Sequence, residues 1–153
     1  IQGAVNLSLP DFSEEALAVA RGNAERLGLA DRVRFARGDL LAPASGERFD
    51  LVVSNPPYLA DGESAGLAPE LAHEPPEALF AGPQGTEALD ALVAGIADVL
   101  APSAGFAVEL APDQAERIAA ACRSAGLEDV RIEPDLAGRA RIVAARAPAG
   151  GAD

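Results

Sequence analysis

The sequence of 153 residues contains no lysine, methionine or tryptophan, and it has only one histidine and one tyrosine. All 12 basic residues are therefore arginines, and with 24 acidic residues they give a formal net charge of −12. Binding to nucleic-acid phosphates normally requires a basic stripe, and the sequence offers none. We therefore expect no direct contact with DNA or RNA.

A single cysteine, Cys122, excludes an internal disulfide and favours a reducing, cytoplasmic compartment. Without a cluster of cysteine and histidine we predict no metal site, and we expect the lone His73 either to be solvent-exposed or to pack within the loop that contains it. No apolar run approaches the roughly 20 residues of a membrane span, so we expect no membrane segment. Because the chain opens at Ile1 and contains no methionine, we interpret it as a segment of a longer protein.

Strand-like and helix-like patterns alternate along the chain, which predicts an α/β fold with a doubly wound, mostly parallel sheet. The last two strands are too close in sequence for a helical crossover, so we expect them to pair antiparallel. The predicted strands are Val5–Leu9 ended by Pro10-Asp11, Val33–Phe35 closed by Gly38-Asp39, Phe49–Val53, Phe106–Leu110, Val130–Ile132 and Arg141–Ala145.

Three helices are predicted between these strands. The first is capped by Ser13, presents Leu17, Ala20, Ala24 and Leu27 on one face, and ends at Gly28. The second carries apolar residues from Leu89 to Leu100, and the third starts with Pro112 and ends at Gly126. Phe49–Val53 is almost continuously apolar and predicts a central strand, whereas residues 59–85 lack periodicity and predict a lid or binding loop.

The tetrad Asn55-Pro56-Pro57-Tyr58 directly follows the predicted central strand, at the end of a strand where α/β proteins bind ligands. A planar amide or exocyclic amine is a poor nucleophile, and two acceptors, the Asn55 side-chain oxygen and the Pro56 carbonyl, would fix its plane. The prolines restrict the backbone, and Tyr58 offers a face for stacking. We predict that the tetrad orients such a nitrogen towards an electrophilic methyl group; the alternative is a stiff turn without chemistry.

Two aspartates at strand ends suggest a nucleotide-like cofactor. Asp11 is placed to bind ribose hydroxyls, and Asp39 could accept from an adenine amino group. The alternative for each is an exposed loop carboxylate or a helix cap, and only their joint occurrence with the tetrad favours a cofactor site.

These segments together resemble the HemK/PrmC family of protein-(glutamine-N5) methyltransferases. The matching residues are Asp11–Arg21 with Asn23 and Leu27-Gly28, Arg32–Phe35 with Gly38-Asp39-Leu40, Phe49–Tyr58, Leu67–Glu70, Glu74-Pro75, Ala78–Phe80, Gly82, Glu109, Gln114 and Asp135–Arg139.

The resemblance implies a Rossmann-like class I methyltransferase fold, with residues 1–147 as a partial domain and 148–153 as a frayed tail. It implies that Asp11, Asp39, Leu40 and Asn55 contact S-adenosyl-L-methionine. It also implies that Asn55, Pro56, Pro57 and Tyr58 hold and methylate a glutamine amide in the Gly-Gly-Gln motif of a peptide-chain release factor.

The family's glycine-rich loop, first strand and N-terminal helical domain have no counterpart in these residues, and Pro10 replaces an aliphatic residue. We therefore expect an N-terminally truncated sheet with an exposed edge, and weak or no cofactor binding by this segment alone. Two alternatives remain open, an amino-group methyltransferase acting on a nucleic-acid base and a truncated, non-catalytic module. The oligomeric state also remains open.

Overall fold

A computed structural model describes residues 6–66, 71 and 73–150, and the chain divides into two compact units, Ile1–Glu47 and Arg48–Asp153. Some predictions fall outside the described residues: the start of the first strand at Val5, the motif Leu67–Glu70 and the end of the tail, residues 151–153.

In the first unit, strand β1 (Leu7–Asp11) pairs in parallel with strand β2 (Val33–Arg37), and helix α1 (Glu14–Arg26) connects them. The prediction that Pro10-Asp11 ends β1 is confirmed, and the two residues are the last two of the strand. The Asp11 carbonyl accepts a hydrogen bond from the Gly38 N–H at 3.0 Å, so Asp11 faces β2 and Pro10 faces away. A proline in that position removes no hydrogen bond between the two strands.

Both predicted ends of α1 are confirmed. The Ser13 hydroxyl accepts from the Ala16 N–H at 3.2 Å, and Gly28 has a φ of +68°, the left-handed conformation in which helices commonly end. Leu17 is fully buried, whereas Leu27, which was predicted on the same face, is 65% exposed. Leu27 lies beyond the last helical residue, where the periodicity of the helix no longer sets the direction of a side chain.

The second unit contains a four-stranded sheet in the order β3-β6-β8-β7. Strand β3 is parallel to β6, whereas β8 is antiparallel to both of its neighbours, which confirms the prediction for the last two strands. The strands are β3 (Phe49–Ser54), β6 (Leu100–Glu109), β7 (Glu128–Pro134) and β8 (Ala140–Arg146).

The predicted central position of β3 is not observed. Among the described residues β3 pairs only with β6, and Leu51 and Val53 are 62% and 67% exposed. An apolar run indicates a capacity for burial on both faces, but within the described part of the chain one face of β3 is left uncovered.

Helices α3 (Glu87–Ile96) and α4 (Ala115–Ser124) supply much of the buried side-chain surface of this unit. The predicted helix to Leu100 ends earlier, at Ile96, because the chain turns through 3-10 hydrogen bonds and Leu100 opens β6. Pro112 starts a short 3-10 turn, Pro112–Gln114, that leads into α4. The largest fully buried side chains of the unit are Leu89, Leu92, Ile96, Phe106, Val108, Leu110, Ile118, Cys122 and Val143.

The segment that was predicted to be an aperiodic loop, residues 59–85, contains regular structure. Strand β4 (Leu59–Ala60) pairs in parallel with strand β5 (Phe80–Gly82), which directly follows helix α2 (Pro76–Leu79). A 3-10 helix, Asp61–Gly66, follows β4. Short elements of this kind lack the periodicity on which the sequence prediction relied.

The described ranges contain neither a membrane-spanning helix nor a cluster of side chains that could hold a metal ion. None of their helices combines the length and hydropathy needed to cross a membrane. None of their groups of histidine, cysteine, aspartate and glutamate is arranged to hold a metal ion.

Cys122 provides a test of the core of the second unit. Its side chain is fully buried, and burial raises the pKa of the thiol to about 11. We predict that iodoacetamide alkylates Cys122 at least about 100-fold more slowly in native protein than in denaturant, because reaction requires opening of the core. Mass spectrometry of timed samples measures both rates, and equal rates would contradict the packing of α4.

Candidate active site

The predicted tetrad lies at the carboxyl end of β3, outside any regular element. Asn55 is exposed, Pro56 is buried, and Pro57 and Tyr58 are half-buried. The Asn55 carboxamide makes no hydrogen bond to any part of the chain that the structure describes. Its oxygen and nitrogen are therefore accessible to a ligand.

An open cleft of about 320 Å³ lies beside Asn55, at the carboxyl ends of β3 and β6. Its volume is at the lower end of the range for small-molecule sites. Its wall is mainly apolar, with polar groups from Ser54, Asn55 and Glu109. The lining residues are Val53, Ser54, Asn55, Ala107, Glu109 and Ile142.

The Tyr58 side chain is in contact with a cation, Arg141. The Arg141 guanidinium carbon lies 5.5 Å from the centroid of the Tyr58 ring, within the range of a cation–π interaction. One guanidinium nitrogen is 3.4 Å from the phenol oxygen and 3.6 Å from a Glu109 carboxylate oxygen, and another donates to the Leu110 carbonyl at 3.0 Å. These contacts restrict the plane of the tyrosine ring.

The backbone of Tyr58 is in contact with Gln114, which lies in the turn before α4. The Gln114 amide group donates to the Tyr58 carbonyl at 2.9 Å and to the Gly85 carbonyl at 3.0 Å. Neither Gln114 nor Arg141 was predicted as a site residue. The sequence did contain a signal for Gln114. It lies three positions after Ala111, a spacing at which a polar side chain can accept from the backbone at the start of a helix.

Gly85 packs directly against the backbone that follows Tyr58. Its φ is +73°, and a Cβ atom at this position would lie 2.7 Å from the Ala60 nitrogen and 2.9 Å from the Leu59 carbonyl carbon. Only glycine fits such an approach without displacement of one of the two segments.

The turn that contains Gly85 is held by Glu87, the first residue of α3. The Glu87 carboxylate accepts from the backbone N–H groups of Gln84 at 2.9 Å and Thr86 at 3.0 Å. These hydrogen bonds, first that from Gln84, lower the pKa of the Glu87 carboxyl below its usual value because they stabilise its charged form.

The predicted cofactor residues of the first unit lie at the carboxyl ends of its two parallel strands. Asp11 ends β1, and one of its carboxylate oxygens accepts from the Ser13 N–H at 2.8 Å. Asp39 and Leu40 follow β2; Asp39 is exposed, and Leu40 has a φ of +42°, an uncommon conformation for a residue with a side chain. The structure thus brings Asp11, Asp39 and Leu40 to the same end of this small sheet.

Replacement of Gly85 tests its close approach to the backbone that follows Tyr58. We predict that Gly85→Ala lowers the free energy of unfolding by about 2–5 kcal/mol, since strain at positive φ adds to a backbone collision. Gly138→Ala is the matched control, because Gly138 has a φ of +79° but open space around it. It should lose only about 1–2 kcal/mol. Urea unfolding measures both, and equal losses would contradict the close packing.

The Glu87 hydrogen bonds predict a pH dependence of stability. A carboxyl whose pKa is lowered by folding stabilises the protein above its unfolded pKa, and this contribution is lost as pH falls through the folded pKa. We therefore expect Glu87→Gln to destabilise the protein at neutral pH, and the difference from wild type to shrink as the pH falls below 4.5, the ordinary value. Urea unfolding across this range checks it, and a pH-independent difference would be the contrary result.

Comparison with known proteins identifies the family. Residues 2–85 match the model of the methyltransferase small domain. Curated proteins named release factor glutamine methyltransferase are 45% identical in Deinococcus radiodurans, over 92% of this chain, and 44% identical in Cereibacter sphaeroides, over 91%. These alignments cover 49% and 50% of the relatives, so the chain spans about half their length.

Solved structures agree on the fold. A methyltransferase from Pyrococcus furiosus has a TM-score of 0.67 at 20% identity, over 94% of this chain and 63% of its own. The cyclase SpnF has a TM-score of 0.64 at 16% identity, over 97% and 68%. Likeness at this identity shows the Rossmann-like α/β fold alone. Together with the family match it confirms the predicted class and the resemblance stated from the sequence: the chain belongs to the methyltransferase small domain family.

Proposed function

We propose that the protein transfers a methyl group from S-adenosyl-L-methionine to the side-chain amide nitrogen of a glutamine in a peptide-chain release factor, in the cytoplasm. The observation that carries this proposal is the exposed Asn55 carboxamide beside an open cleft at the end of β3. The names of the relatives support the substrate. Because they are twice as long as this chain, the activity of the whole protein is part of the proposal.

The residues of the tetrad suit the chemistry of a planar amide nitrogen. Its lone pair is delocalised, so a strong base is less useful than a fixed orientation. The Asn55 side-chain oxygen and the Pro56 carbonyl would accept the two N–H groups of the substrate amide. Two successive prolines limit the backbone torsions of the tetrad, and the half-buried Tyr58 ring offers a flat surface to the substrate.

The residues of the first unit fit the nucleoside part of the proposed cofactor. Asp11 and Asp39 provide carboxylate oxygens at the carboxyl ends of adjacent parallel strands, where they would accept from the ribose hydroxyls and the adenine amino group. Asp11 keeps one oxygen without a hydrogen bond to the described residues. Leu40 would contact the cofactor as an apolar neighbour, and the resemblance to the family also implies a cofactor contact by Asn55. When bound, S-adenosylmethionine supplies a methyl group on a positively charged sulfur.

The charge of the chain favours a protein substrate over a nucleic acid. With a net charge of −12 and no lysine, the protein would repel a phosphate backbone. An exocyclic amine of a base would fit the tetrad equally well, so DNA belongs in the assay as a second substrate.

Substitution of Asn55 tests the proposed function. In the protein encoded by the complete open reading frame, we expect Asn55→Ala to lower methyl transfer at least about 100-fold, because the substrate amide loses an orienting acceptor. Cofactor binding should be weaker but measurable. Transfer of tritium from labelled S-adenosylmethionine to a release factor measures the first, and equilibrium dialysis the second.

Asn23→Ala is the matched control, since it removes the same side chain from an exposed position of α1. It should retain full activity. Transfer by Asn55→Ala at the wild-type rate would exclude the proposed role of the tetrad, and transfer to DNA instead of the release factor would exclude the proposed substrate.

A further inference from the structure

Gln114 is the one side chain with a polar or charged group that is buried among the described residues, at 8% exposure. A buried carboxamide is costly unless its hydrogen-bonding groups are paired. Both N–H groups of Gln114 are paired, with the carbonyls of Tyr58 and Gly85, and its oxygen accepts from the Ala111 N–H at 3.1 Å. The side chain thus joins three separate backbone segments.

One of these segments is the backbone at Tyr58, the last residue of the tetrad. The Tyr58 carbonyl belongs to the peptide bond between Tyr58 and Leu59. Gly85 packs so closely against this stretch of backbone that a Cβ atom would collide with it. The two carbonyls need a neutral group with two N–H donors, while the Ala111 N–H needs an acceptor. Among side chains of this length, only glutamine provides both.

The position of Gln114 is itself fixed by the end of β6. Its own N–H donates to the Ala111 carbonyl at 3.0 Å, and its side-chain oxygen accepts from the N–H of the same residue. The preceding residue, Leu110, is fully buried, and its carbonyl accepts from Arg141, which contacts the Tyr58 ring. Ala111 therefore holds the backbone of Tyr58 through Gln114, and the adjacent Leu110 holds the ring of Tyr58 through Arg141.

We propose that Gln114 is a positioning residue for methyl transfer: it sets the place of Tyr58, and through Tyr58 the orientation of the substrate amide. This inference rests on the function proposed above for the tetrad. Gln114 is buried behind the backbone and acts through Tyr58, so its effect is on the rate of the bound substrate rather than on its affinity.

The test removes the side-chain N–H donors of Gln114 and keeps a side chain of similar size and shape. In the protein from the complete open reading frame, Gln114→Glu keeps an acceptor for Ala111 but directs carboxylate oxygen at two carbonyls. Gln114→Met removes all three side-chain hydrogen bonds without adding a charge. We expect kcat per folded molecule to fall on the order of 10- to 100-fold in both, with the KM for the release factor changed less than about threefold.

A spectroscopic readout separates positioning from simple loss of stability. Tyr58 is the single tyrosine of these 153 residues. In the protein from the complete open reading frame, the 3-fluorotyrosine 19F resonance that is lost in Tyr58→Phe belongs to Tyr58. Both Gln114 variants should shift or broaden this resonance at temperatures where the protein remains folded. Asn23→Asp is the charge-matched control, because it converts an exposed amide of α1 into a carboxylate, and it should change neither kcat nor the resonance.

Each outcome decides the proposal. Folded Gln114 variants with wild-type kcat, or with an unshifted resonance, would overturn it. Loss of the fold in both variants would also overturn it, since Gln114 would then be needed for the fold rather than for the tetrad. If Asn55→Ala remains active, the function proposed for the tetrad fails; if Asn55→Ala is inactive and the Gln114 variants are not impaired, only the positioning role fails.

Discussion

Residues 55–58 form the corner at which the chain leaves β3, and they belong to no ladder of backbone hydrogen bonds. The position of this corner therefore depends on the contacts made at its C-terminal end. A segment without regular hydrogen bonds keeps conformational freedom unless local restraints remove it. Two prolines limit the torsions within the corner, and the close approach of Gly85 fixes the backbone that follows. Gln114 then satisfies the carbonyls that this packing removes from water. The corner is thus held rigid by Gly85 and Gln114, which contact its backbone.

Electrostatics adds a second restraint on the same corner. In a chain with twice as many acidic as basic residues, Arg141 is placed between Glu109 and the ring of Tyr58. A guanidinium group is planar, carries several donors and remains charged, so it can contact a carboxylate, a carbonyl and an aromatic face together. A lysine could not make this set of contacts with the same geometry. The arrangement leaves the Asn55 side of the corner free of competing hydrogen bonds from the described residues.

The sequence was most informative where a signal is local. The helix cap at Ser13, the helix end at Gly28 and the antiparallel pair formed by β7 and β8 depend on a few neighbouring residues, and all three were predicted. The tetrad was located by its position after an apolar strand, and the structure places it at the carboxyl end of β3. The roles of its residues remain predictions, because no comparison tests them.

Features set by tertiary contacts were predicted poorly. Large apolar residues continue from α3 through Val99 to Leu100 and are buried on both sides of the helix end at Ile96, so hydrophobic periodicity could not show where the helix ends. The short strands β4 and β5 carry no pattern of their own and exist through their pairing. Gln114 belongs to the family resemblance, but its hydrogen bonds to the Tyr58 and Gly85 carbonyls are set by tertiary structure and could not be predicted from the sequence.

The accessibility of Asn55 depends on the register of β3. Side chains of a strand alternate between its two faces, and the alternation continues past Ser54: Val53 and Asn55 are exposed, whereas Pro56 is buried. Pairing with β6 sets this register, since Val52 lies opposite Phe106 and both belong to the less exposed face. A slip of one residue would turn the carboxamide inward. The core of the second unit, through Phe106, therefore determines which face of the sheet presents the amide group.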